Sequence, residues 1–143
     1  MLAQIIDEVK SAVLAAIKGA DDVVTAIRGA VKNQVAGAVR DASSMAMTGM
    51  DAVKEVVTGA VTGAVDAGAE VGAAAAAAVE EAVQSAESVG VSTTDAVSGA
   101  VSGAIEAAEK MGTSAVGAVR TALMSVASLP KDLVEAAIKG RGK

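Results

Sequence analysis

The chain has 143 residues and a net charge of −5, and its 52 % apolar content includes no aromatic residue. Cysteine and histidine are both missing, which excludes disulfides, thiolate metal sites and the commonest general base. The charge is segregated, with +1 over residues 1–40, −9 over residues 41–112 and +3 over residues 113–143.

In chain order, Leu2 to Lys18 places Leu2, Ile5, Ile6, Val9, Val13 and Ile17 at helical spacing and predicts an N-terminal amphipathic helix over residues 2–18. Gly19 followed by Asp21-Asp22 reads as a stop and an N-cap. The next helix is expected from about Asp22 to Met47, loosening at Ser43-Ser44 and Thr48-Gly49. Asp51 is the expected cap of a helix reaching about Val71, before Gly72. Ala73 to Ala78 opens a further helix through Ser88, since alanine is the best helix former. Gly90 to Thr94 is a break, with Ser92, Thr93 or Thr94 as the next cap. The following helix ends at Met111-Gly112, and Thr113 or Ser114 restarts the chain. Ser128-Leu129-Pro130 announces a last helix over residues 131–139, and residues 140–143 form a basic tail.

The most informative stretch occurs twice, as Val56-Val57-Thr58-Gly59-Ala60-Val61-Thr62-Gly63-Ala64-Val65 and, forty positions on, as Ala96-Val97-Ser98-Gly99-Ala100-Val101-Ser102-Gly103-Ala104-Ile105. Each sorts into four rows along a helix. Val57, Val61 and Val65 correspond to Val97, Val101 and Ile105, while Ala60 and Ala64 correspond to Ala100 and Ala104. Gly59 and Gly63 correspond to Gly99 and Gly103, and one row, Lys54, Thr58, Thr62, Asp66 and Glu70, is polar. A glycine inside a helix costs about 0.5–1 kcal/mol relative to alanine. The small-xxx-small spacing offers a reason for that cost, because it lets two helix axes approach closely. These fourteen apolar and glycine residues are the expected helix-packing and self-association positions.

The same offset relates Ala78-Val79 to Ala118-Val119, and an offset of eighty relates Gly37-Ala38-Val39-Arg40 to Gly117-Ala118-Val119-Arg120. The expectation is one all-α domain over residues 1–143, built from Ala/Gly-rich tandem helical hairpins at about residues 11–50, 51–90 and 91–130 and forming a closely packed bundle or stacked array. A core without aromatics must rely on many short contacts between close helices, or on other copies of itself.

Adjacent carboxylates such as Asp21-Asp22 and Glu80-Glu81 diverge on a helix and do not converge on one ion. No catalytic, metal or cofactor site is expected, and neither a small-molecule substrate nor nucleic acid is an expected partner. Charge-free runs reach ten residues, short of the roughly 20 that span a membrane. Met1 to Ile6 lacks a basic signal region. A cytoplasmic location, or one on an inclusion or membrane surface, is therefore expected.

Surplus apolar surface points first to a non-enzymatic structural protein that self-associates into an oligomer or filament. The run Val57 to Val65 also resembles, in composition, the Val/Thr/Gly/Ala repeats of synucleins and perilipins. That resemblance implies helices lying on lipid, with the Ala-rich phasins as granule-coating analogues. The alternative expectation is therefore an amphipathic coat of a membrane, lipid droplet or storage granule. The chain departs from the synuclein pattern in its polar row, which ends in Asp66 and Glu70 rather than carrying a lysine-rich face.

Overall fold

The computed structural model describes residues 2–18, 22–42 and 48–141. Seven helices are formed there: α1 (Leu2–Lys18), α2 (Val23–Ala42), α3 (Gly49–Asp66), α4 (Val71–Ser88), α5 (Thr93–Met111), α6 (Thr113–Met124) and α7 (Lys131–Arg141). Among the described residues there is no strand. The all-α expectation holds.

Short polar side chains set three of the helix starts by accepting from first-turn N–H groups that have no intrahelical partner. Asp22 Oδ1 accepts from Thr25 N at 3.2 Å, Thr48 Oγ1 from Asp51 N at 3.0 Å and Ser92 Oγ from Asp95 N at 3.2 Å. The expected cap Asp51 thus lies one turn inside α3, where its carboxylate still faces the positive end of the helix dipole. Glu70 caps α4 with both carboxylate oxygens, at 2.6 Å from Gly72 N and 3.2 Å from Ala73 N.

Three of the expected boundaries move. α3 stops at Asp66 rather than near Val71, because the break sits at Gly68, whose φ of +100° only glycine adopts without strain. Gly72 consequently belongs to the first turn of α4. α7 runs to Arg141, so Gly140 is helical rather than part of a tail. Ser43-Ser44, Met47 and the tail residues 142–143 lie outside the described residues. Gly90 and Gly112, at φ +98° and +124°, end α4 and α5 where breaks are expected.

The helices stack in two layers. In one, α1, α3, α5 and α7 lie side by side in that order; in the other, α2, α4 and α6 do the same. Each even helix nests between two odd ones, with α2 against α1 and α3, α4 against α3 and α5, and α6 against α5 and α7. Of the expected unit boundaries, 90/91 and 130/131 fall between helices, whereas 10/11 falls inside α1 and 50/51 inside α3. One continuous core joins the layers, filled by Ile, Val, Leu and Ala. No described helix is long and apolar enough to cross a membrane.

The Ser92 cap isolates one hydroxyl at an exposed helix start. Ser92→Ala is expected to lower unfolding stability by about 1 kcal/mol, read by urea denaturation followed through circular dichroism, since the chain has no aromatic fluorophore.

Candidate functional site

The glycine rows of α3 and α5 are occupied within the chain. Gly59 and Gly63 lie under the backbone of α1, where an added β-carbon would stand 2.6 Å from Ile6 O and 2.7 Å from Lys10 O. Gly99 and Gly103 lie under α3 in the same way, the first at 2.5 Å from Met50 O and the second against Lys54 O. Real β-carbons do not approach carbonyl oxygens so closely, so only glycine permits these contacts. Stepping four residues along one helix steps four along the other in both interfaces, so α1, α3 and α5 run parallel.

The remaining expected packing residues share the core these contacts create. Val57, Val61, Ala60 and Ala64 of α3 and Val97, Val101, Ile105, Ala100 and Ala104 of α5 are buried, and Val65 is partly so. The structure brings all fourteen positions into contacts between helices of one chain, and none of the four paired glycines is left facing outward. Self-association through these faces would require the stack to open.

The polar row of α3 is where the residue pattern is least informative. Thr58 is fully buried. Its hydroxyl hydrogen is shared between Lys54 O of its own preceding turn, at 2.9 Å, and Gly103 O of α5, at 3.1 Å. Lys54 Nζ then reaches Glu106 across the same interface at 3.6 Å. Lys10 and Asp66 make the corresponding bridge between α1 and α3 at 3.1 Å. The two lysines lie 44 positions apart and the two acids forty, and each lysine contributes both the carbonyl over a glycine and the cation of the bridge. Both pairs are partly solvated, so each contributes no more than about 1 kcal/mol.

Two further carboxylates are placed by the packing. Glu80 of α4 accepts from Arg28 of α2 and from Ser128 ahead of α7. The Ser128 and Arg28 hydrogen bonds hold its carboxyl below the ordinary range. Ser128, just ahead of the last helix, therefore spends its hydroxyl on Glu80. Glu55 is almost fully enclosed. Burial and the nearby Glu106 push its carboxyl up, against the opposing pull of Lys54 and Lys110. Among the described residues no group of three or more acids could hold a metal ion.

A groove of about 250 Å³ lies between α2 and α4 beside Lys32, Ala36 and Gln84, and others lie at the edges of the stack. One of about 520 Å³ runs between α1 and α2 past Ala12, Ala16, Ala26 and Gly29, and a smaller one lies between α6 and α7 beside Met124 and Ile138.

The carbonyl contacts make Gly63→Ala and Gly103→Ala destabilising, by about 1–3 kcal/mol of overpacking. Gly117→Ala, where nothing lies within 4 Å of the new carbon, is expected to stabilise α6 by about 0.5–1 kcal/mol. Thermal unfolding by circular dichroism reads both signs, and equal shifts at Gly63 and Gly117 would remove the steric account. For Glu55, a folded pKa above the unfolded one means that stability is greatest below the unfolded value and is lost as pH rises through the folded one. Glu55→Gln is therefore expected to be more stable than the parent at pH 7, with the gap closing below the ordinary carboxylate range. A gap that widens on acidification contradicts this.

Compared with known proteins, the chain matches no family model, no curated protein and no solved structure.

Proposed function

We propose that the chain is a non-enzymatic structural protein that associates with further copies of itself. One observation carries this reading: the two-layer stack is open at both edges. The outward groove of α1 and α2 and that of α6 and α7 are lined by those helices alone, with none of the other described helices over them. Inside the stack the same kind of groove is always filled by the next helix. Gly29 and Gly37 of α2 have nothing within 4 Å of an added β-carbon, in contrast to the four glycines between odd helices. Small residues without a neighbour on an edge are what an added helix would need.

On this reading the associating surfaces are the edges of the stack, not the rows around Gly59 and Gly99. A coat on lipid would need those buried rows to be turned outward, and Thr58 and Lys54 of the polar row are tied to α5 instead.

Light scattering and circular dichroism in lipid-free buffer test the reading. The expected result is full helicity at every concentration, with mass rising above the 13.8 kDa of one chain as concentration increases. Vesicles should leave the helicity unchanged. Low helicity that rises sharply on adding vesicles would replace this reading with the surface coat.

A further inference from the structure

The way the stack is cut at its two edges says how copies would join. Seven helices alternate between the layers, so both edge helices, α1 and α7, belong to the odd layer. The groove between α1 and α2 is where a further even-layer helix would sit, touching α1 and α2 as α2 touches α3 and α4. The groove between α6 and α7 is the matching seat at the other edge.

The direction of that missing helix is also fixed. The glycine contacts show that α1, α3 and α5 run parallel. Along the α1–α2 groove, Ala12 and Ala16 lie by Thr25 to Gly29, while Ile5 and Glu8 lie by Gly37 to Asp41, so the two layers run antiparallel. A half-turn about the stacking direction exchanges the layers and reverses every helix. A second copy placed by that half-turn offers its α7 in the even layer, where a helix that runs with α1, α3 and α5 of its own copy points as α2 does. In the same placement the α1 of the first copy fills the α6–α7 groove of the second. A head-to-head arrangement would set two α1 helices parallel across the layers, which happens nowhere within the chain.

We propose that α7 of one copy seats in the α1–α2 groove of the next, and α1 of that copy in the α6–α7 groove of the first, which adds copies head to tail. The inference rests on the self-association reading above and names its interface. Two independent observations support it. The edge helices carry nearly the same segment: Val134-Glu135-Ala136-Ala137-Ile138-Lys139 in α7 repeats Val13-Leu14-Ala15-Ala16-Ile17-Lys18 in α1 at five of six positions. Each groove therefore receives the same pattern, with Ala15 and Ala136 exposed on their respective helices. Charge is the second. The α1–α2 groove carries Glu8 and Asp22 and no basic residue among its lining, whereas α7 carries Lys131, Lys139 and Arg141 against Asp132 and Glu135. At the other edge Arg120 and Lys139 flank Met124 and Ile138, with Glu135 the one acid beside them, and α1 exposes Asp7 and Glu8. Each contact buries one helix against two others, and the joining operation never closes on itself, so the product is an open polar filament.

The absence of native cysteine makes thiol cross-linking specific. Gly29→Cys marks the groove and Ala136→Cys marks α7. With a short bis-maleimide, the mixture of the two single variants should give a cross-linked species of twice the chain mass that neither variant gives alone. The doubly substituted chain should give a ladder. Gly29→Leu, which meets open space in the chain itself, should keep wild-type helicity yet lose the higher mass and return to 13.8 kDa. If the wild type assembles but the mixture gives no cross-link, or only like-with-like pairs, and Gly29→Leu assembles as before, this placement is wrong while self-association stands. A wild-type chain that stays at monomer mass at every concentration overturns both.

Discussion

At four places in this protein a helix backbone lies where a side chain would otherwise be. Ile6 and Lys10 press their carbonyls onto Gly59 and Gly63, and Met50 and Lys54 press theirs onto Gly99 and Gly103. The rest of the architecture depends on that constraint. A core of valine and alanine can exclude water only if the helices are close, and they can be close only where there is no β-carbon between them. The pairs also fix register. Sliding one helix by a turn would bring Glu55 or Ala67, or Asp95 or Ala107, with their β-carbons, beneath the same carbonyls. Four helix-weakening glycines are retained because the packing they permit is worth more than the backbone freedom they cost.

The same closeness dictates where polar groups go. With α1 on one side of α3 and α5 on the other, the central helix has almost no solvent face. Its polar residues must then be satisfied inside the contact. Thr58 does so through carbonyl oxygens and Lys54 pairs with Glu106, while Glu55 is enclosed with Glu106 nearby, which is why its proton is held more tightly. Much of the acidic middle of the chain is thus spent on caps and bridges: Asp51 and Asp95 in first turns, Glu70 over α4, Asp66, Glu80 and Glu106 in ion pairs.

Periodicity alone exposed the helices and singled out the small rows, because a β-carbon is a property of the residue and its spacing is written in the chain. What lies against a small row is not written in the same way. The atoms over the glycines are backbone carbonyls, and any residue supplies one, so nothing distinguishes Ile6 or Met50 until the helices are placed. Thr58 reads as polar and is buried, since a hydroxyl that can bond the turn before it travels into a core at little cost. The end of α3 lies earlier than the pattern predicts, since Ala67 and Ala69 are good helix formers and a single glycine, Gly68, decides the turn. The edge grooves were hidden for a simpler reason: a row without a neighbour has the same sequence as a row with one.

Every helix among the described residues touches only helices one or two places away in the chain. Contacts of such short sequence separation are reached with small loop-closure losses, so chain order and folding order can coincide. Stability should accordingly be graded rather than uniform, deepest where α3 is flanked on every side and shallowest at α1 and α7. The helices that would meet a second copy are then the ones that open first, and capture by a neighbour would fasten the loosest part of the molecule.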